Sequence, residues 1–148
     1  MKIALACDHG GLELKLAIKR HLETEGFETE DFGTHTTDSC DYPDYAAPAA
    51  RAVAEGRCDR GVLVCGTGLG MSIAANKVKG AYAALLSDVY SAQRSVLSNN
   101  ANIACMGAFT IGGKLAEELL KTFLGLSFDP SSSSAPKVAR YHAYDEAR

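Results

Sequence analysis

The chain has 148 residues, 47% of them hydrophobic and none of them tryptophan, and its formal net charge is −3. That length fits one compact domain with a core of its own, and the weak negative charge supplies no basic field to draw in nucleic acid or an anionic membrane surface. No apolar run reaches the roughly 20 residues that cross a bilayer, so the expected partner is a small molecule.

In chain order, Lys2 to Cys7 reads as a buried strand. Gly10 to Glu25 reads as an amphipathic helix, with Leu12, Leu14, Leu16, Ala17 and Leu22 at helical spacing and Gly26 ending it. Phe27 to Phe32 is a second strand, followed by a loop rich in Thr, Asp and Ser through Tyr45. Pro43 and Pro48 bracket the start of an Ala-rich helix that runs to about Glu55. Gly61 to Val64 is the third strand and Gly70 to Val78 its helix; Ala81 to Leu86 is the fourth, with a helix from Val89 to Leu97. Ile103 to Met106 makes the fifth strand and Gly113 to Leu124 a fifth helix.

Such alternation predicts an α/β fold: a three-layer α/β/α sandwich on a five-stranded parallel sheet, Rossmann-like, in a single domain over residues 1–129. Ligands of open parallel sheets sit at the carboxyl ends of the strands. Cys7-Asp8-His9, Cys65-Gly66-Thr67-Gly68 and Met106-Gly107 all fall there. Beyond Pro130 the run Ser131-Ser132-Ser133-Ser134 packs no core, so residues 130–148 are expected to be a flexible C-terminal extension. Its end, Lys137 to Arg148, is either a helix docked on a partner subunit or a frayed tail.

Five cysteines (Cys7, Cys40, Cys58, Cys65, Cys105) make an odd number without C-x-x-C spacing, and Met1 to Ala6 leads into Cys7-Asp8-His9 rather than a long apolar signal region. Reduced thiols and a cytoplasmic location are the expectation. The most informative stretch is Val62-Leu63-Val64-Cys65-Gly66-Thr67-Gly68-Leu69-Gly70-Met71-Ser72. A β-branched apolar run brings Cys65 to a strand end, and three glycines in five residues then let backbone N–H groups converge on an oxyanion. The positive end of the following helix is expected to favour the thiolate of Cys65. A thiolate facing an oxyanion pocket suits removal of a proton next to a carbonyl. The spacing is neither the dinucleotide fingerprint nor a P-loop, since no Gly-Lys-Ser/Thr follows. A buried strand cysteine before a purely structural turn is the bland alternative.

Several segments together resemble the family of ribose-5-phosphate isomerase type B and the galactose-6-phosphate isomerase subunits. They are Cys7 to Gly11, Asp41 to Ala46, Cys65 to Lys77, Tyr90 to Ala92 and Asn99 to Asn102. The resemblance implies aldose–ketose isomerisation through a cis-enediol, without metal or cofactor, in a homodimer or tetramer whose sites lie at the subunit interface. It makes Cys65 the base between C1 and C2 and gives Thr67 the proton traffic between the two oxygens. The turn amides of Gly66, Gly68, Leu69 and Gly70 would hold the enediolate oxygen. By the same resemblance Asp8 and His9 orient the sugar hydroxyls and the phosphate, Tyr42 lines the pocket, and Asn99 comes from a partner subunit as an oxyanion donor. Plainer roles stay open: Asp8 as a helix cap, His9 as a loop residue, Tyr42 as a turn former, and Asn99-Asn100 as a helix terminator.

The chain departs from that family at the substrate end. Ser98 stands where the ribose-phosphate enzymes carry a histidine that opens the furanose. Tyr82, Phe109 and Ser133 stand at usual arginine positions, leaving Lys137, with Arg140 near it, as the remaining cations for a phosphate. A branch that is similar in its Leu97-Ser98-Asn99-Asn100-Ala101 run acts on erythrulose 4-phosphate, whose esterified O4 cannot close a five-membered ring. Two readings of other classes stay open: a non-catalytic subunit paired with a complete isomerase chain, and a thiol redox sensor at Cys65.

Overall fold

The computed structural model describes residues 1–147. Five parallel strands, β1 (Lys2–Cys7), β2 (Glu28–Asp31), β3 (Arg60–Cys65), β4 (Ala83–Leu85) and β5 (Ile103–Gly107), lie in the order β2-β1-β3-β5-β4. The helices are α1 (Leu12–Thr24), α2 (Tyr42–Ala54), α3 (Leu69–Ala75), α4 (Val89–Leu97), α5 (Gly113–Gly125) and α6 (Ala135–Glu146).

The period-2 alternation of strand side chains splits the core in two. Ile3, Leu5, Val62, Val64, Ala104 and Met106 face α1, α4 and α5. Ala4, Ala6, Leu63, Cys65, Ile103 and Cys105 face α2 and α3. The second layer is thin because α2 buries Ala46, Ala49 and Ala50, side chains short enough to bring its axis close to the sheet. This is the three-layer α/β sandwich the sequence predicts.

The boundaries differ from expectation in ways that have causes. Residues His9–Gly11 form a single 3-10 turn ahead of α1, because Asp8 Oδ1 accepts the Gly11 N–H at 3.1 Å and tightens the chain. Helix α2 begins at Tyr42 and keeps Pro48 inside it; Pro43 sits in the first turn, where its missing N–H costs nothing. Helix α3 stops at Ala75, short of Val78. There the Asn76 side chain donates to the Ser72 and Ala83 carbonyls and accepts the Ala83 N–H, all at 2.9 Å, turning the chain toward β4.

Where a flexible extension is expected, Ala135–Glu146 is helical and lies on its own chain. Its buried Val138 and Asp145 face inward, and Asp145 accepts from the Gly80 N–H at 3.1 Å and the Tyr82 hydroxyl at 2.7 Å. Arg148, the last residue of that expected extension, lies outside the described residues. Among the described residues no helix is long and apolar enough to cross a membrane.

Candidate active site

Strands β1 and β3 are neighbours from which the chain departs in opposite directions along the sheet, to β2 and toward β5 and β4. Their carboxyl ends therefore border the crevice where open α/β sheets bind ligands. The register pairs Cys7 with Val64, and the Asp8 N–H extends the ladder to the Val64 carbonyl at 3.2 Å. This sets the Asp8-His9 turn beside Gly66. Gly11 permits it, since a Cβ there would stand 2.5 Å from the Val64 carbonyl oxygen.

Cys65 ends β3, 4% exposed. Its Sγ accepts the Gly68 N–H at 3.1 Å, a hydrogen bond that charge on the sulfur strengthens. Gly68 reaches that position with φ +77°, packed so tightly that a Cβ would meet Leu85 at 2.6 Å and the Met106 backbone at 2.9 Å. Thr67 is exposed, and its Oγ1 accepts the Leu69 N–H at 3.3 Å. Two of the turn amides proposed for an oxyanion are thus engaged within the turn, one on the candidate base and one on the candidate proton shuttle.

Two aromatic rings border the turn. A Cβ on Gly70 would stand 2.7 Å from the Tyr42 ring, and one on Gly66 would stand 2.8 Å from the Phe109 ring. Phe109 is held there by its N–H on the Gly66 carbonyl at 2.9 Å, yet its side chain is 78% exposed. His9 Nδ1 accepts the Cys40 N–H at 3.2 Å, which fixes the tautomer with the proton on Nε2 and leaves that donor for a ligand.

The remaining candidates lie elsewhere. Ser98 and Asn99 follow α4 at the amino ends of β4 and β5, where Asn99 borders a cavity of about 300 Å³ with Asn76, Tyr82, Ala83, Ala84, Ala101 and Tyr141. The Ser98 hydroxyl accepts from the Arg94 guanidinium. Lys137 is exposed on α6, one turn before Tyr141 and so on the same helix face. Tyr82 is turned to Asp145 and stacks on His142, ring centroids 4.4 Å apart, so it is a docking residue for α6 rather than a wall of the Cys65 crevice. The structure thus gathers Asp8, His9, Tyr42, Cys65, Thr67 and the glycine turn at one end of the sheet, and Ser98, Asn99 and Lys137 at the other.

Some contributors escaped the sequence reading. Lys15, with no exposed surface, donates to Asp31 Oδ1 and to the Thr34 carbonyl, both at 2.7 Å, and so anchors the start of the loop that carries Cys40 to His9. The available signal was its position: three residues after Leu12 and three before Ile18, on the buried stripe of α1. Burial pushes the Cys7 thiol beside this pair up to about 11, against the opposing pull of Lys15. Burial likewise raises Cys105, which lies behind Cys65. All five cysteines are free thiols, and among the described residues no group of three or more His, Cys, Asp or Glu side chains is placed to hold a metal ion.

A doubly covered parallel sheet with a cysteine and a glycine turn at its switch point defines a class of α/β enzyme. Comparison with known proteins narrows it. Residues 3–141 match the family model described as Ribose/Galactose Isomerase. The chain is 49% identical to D-erythrulose-4-phosphate isomerase 2 of Mycolicibacterium smegmatis, covering 99% of each. It is 44% identical to ribose-5-phosphate isomerase B of Escherichia coli over 86% of each. The solved structure of Clostridium thermocellum ribose-5-phosphate isomerase B superposes with a TM-score of 0.96 at 43% identity, covering 99% of each chain. The chain belongs to the ribose/galactose isomerase family.

Proposed function

We propose that Cys65 is the base with which this sugar-phosphate aldose–ketose isomerase moves a proton between C1 and C2. The observation that carries the reading is the 3.1 Å contact between Cys65 Sγ and the Gly68 N–H at the crevice between β1 and β3. The thiolate removes the C2 proton of the open-chain aldose, and electrons shift onto the carbonyl oxygen to give a cis-enediolate. The sulfur returns the proton to C1 while the O2 proton passes to O1 through the Thr67 hydroxyl, leaving the ketose and a regenerated thiolate. Asp8 and the Nε2–H of His9 orient the hydroxyls and the phosphate end, and Tyr42 and Phe109 wall the crevice.

In one chain Asn99 stands at the far end of the sheet from Cys65. A site in which Asn99 donates to the oxyanion therefore takes it from a second copy, with Lys137 supplied from the same end. An isologous dimer gives two such sites by symmetry. Helix α6 then docks near the partner's crevice while seated on its own chain.

The substrate we favour is an open-chain tetrose 4-phosphate. Ser98 is a poor acid near neutral pH and its oxygen already accepts from Arg94, so no group at this position opens a furanose ring. An erythrose 4-phosphate has no such ring to open. The M. smegmatis relative named for erythrulose 4-phosphate supports the same choice.

The test is proton NMR of the purified protein in deuterated water with erythrose 4-phosphate, ribose 5-phosphate and unphosphorylated ribose. Deuterium is expected to enter C2 fastest with the tetrose phosphate, and Cys65→Ala should slow exchange by about 10³-fold. Undiminished exchange in that variant removes Cys65 as the base. Faster exchange with ribose 5-phosphate removes the open-chain preference, and silence with all three favours a non-catalytic subunit.

A further inference from the structure

We propose that Tyr141 is a positioning residue for Asn99, so that α6 acts as a strut behind the donor that one subunit lends to another. This rests on the reading that Asn99 completes a second copy's Cys65 site. Helix α4 ends at Leu97, and the last carbonyls of a helix have no partner within it. Two residues on, the Asn99 carbonyl accepts the Tyr141 hydroxyl from 42 positions away. The next residue, Asn100, is left-handed with φ 49°. Its N–H returns to the Val96 carbonyl at 3.0 Å, and the Ala101 N–H to the Ser95 carbonyl at 2.8 Å. The Asn99–Asn100 peptide is therefore held from inside by α4 and from outside by Tyr141.

Tyr141 is itself well placed. Its ring packs edge-on against Tyr82, centroids 5.0 Å apart at 62°. Tyr82 stacks on His142 and donates to Asp145, which is 5% exposed and also receives the Gly80 N–H. Burial, then the Asp145 charge, raises the Tyr141 phenol above its usual value, so it remains an O–H donor throughout the neutral range. Asp145, the Tyr82–His142 stack, buried Val138 and the Tyr141 ring all seat α6 on the chain. What the Tyr141 bond adds is a constraint on the backbone that carries Asn99. The Asn99 side chain is exposed at the rim of the cavity, so its direction is set by that backbone. A donor meant for developing negative charge works only if its place is fixed in advance.

A double-mutant cycle on the full chain tests this, with kcat and KM measured on erythrose 4-phosphate and ribose 5-phosphate. Asn99→Ala should lower kcat by about 10²-fold, as loss of an oxyanion donor does. Tyr141→Phe should lower kcat by about 10-fold with KM changed by no more than about twofold. The double variant should be no slower than Asn99→Ala alone, because the strut has nothing left to place. Independent losses that multiply in the double variant, or a Tyr141→Phe enzyme with normal kcat, overturn the positioning role and leave the Asn99 reading standing. A normal kcat in Asn99→Ala overturns both. Amide hydrogen exchange in the ligand-free protein reads the same contact without activity. Tyr141→Phe should speed exchange at Asn100 and Ala101 by at least about 10-fold, and unchanged exchange there also overturns the proposal.

Discussion

The two ends of the sheet are built by different means. At the carboxyl end, the Cys65 turn is made of backbone: strand ladders bring Asp8 beside Gly66, an amide meets the sulfur, and glycines let main chains approach to distances no Cβ would tolerate. At the amino end, the Asn99 corner is held by side chains that reach across long sequence separations, the Tyr82 hydroxyl to the Asp145 carboxylate and the Tyr141 hydroxyl to the Asn99 backbone carbonyl. Backbone construction fixes Cys65 to the centre of the fold. Side-chain construction leaves the other half adjustable.

If the first end depends on backbone approach, one methyl group should break it. Gly68→Ala places a Cβ 2.6 Å from Leu85 and 2.9 Å from the Met106 backbone at φ +77°. Leu85, partly exposed, can move aside; the β5 backbone cannot, so the turn must shift and take the Gly68 N–H away from Cys65. We expect kcat to fall by at least about 10²-fold and the melting temperature to drop, measured by the same exchange assay and by thermal unfolding. Gly113→Ala, in the first turn of α5 where a Cβ meets nothing within 4 Å, is the control and should lower neither. Equal behaviour of the two variants would erase the distinction between the ends.

The amino end should instead respond to a change of chemistry with a change of preference. Ser98→His introduces an imidazole that can protonate a ring oxygen near neutral pH. The ratio of ribose 5-phosphate to erythrose 4-phosphate kcat/KM should rise by about 10-fold, mostly through the pentose, if acid catalysis of ring opening is what the serine lacks. A parallel rise with both substrates would mean that position 98 serves binding and not ring opening.

This contrast also explains what could be read from sequence. Strand and helix order, the placement of Cys65, and the convergence of Cys7-Asp8-His9 with the glycine turn follow from periodicity and from parallel topology, which needs no knowledge of distant contacts. At the Asn99 corner the terminator role of Asn99-Asn100 was legible, and Asn100 is left-handed, but the contacts that close the corner were not, for the opposite reason. Nothing local in Tyr141 or Asp145 announces their partners, and the serine run before α6 reads as a linker although Asp129 Oδ1 caps it through Ser131 N–H and Oγ at 2.8 and 2.7 Å. Beyond its position, Lys15 gives no signal in the sequence because a charged residue on an apolar stripe is normally at its solvated edge, whereas here Asp31 compensates its burial. Pro48, expected to bracket the helix start, lies inside α2, where burial of Ala46, Ala49, Ala50, Ala52 and Val53 outweighs the hydrogen bond an interior proline removes.

Helix α4 connects the two ends, with Asp88 at its start and Asn99 just past its finish, and gives the finest test of their independence. Asp88 Oδ1 accepts the Ser91 N–H at 2.7 Å, capping the helix. Hydrogen bonds from the Ser91 side chain and backbone hold its carboxyl below the ordinary 3.8. A carboxylate with a lowered folded pKa adds stability that is present above its unfolded value and lost as pH falls through the folded one. Melting temperature should therefore decline below about pH 4 partly through this cap, and Asp88→Asn, which keeps an acceptor but does not titrate, should flatten that part of the decline. The cap belongs to the Cys65 end, since Leu85 precedes it and packs on Gly68. At neutral pH Asp88→Asn should leave amide protection at Asn100 and Ala101 unchanged, because that corner is held by Tyr141 and by the last turn of α4. Faster exchange there would mean that α4 transmits fraying along its length, and that the two ends are one mechanical unit.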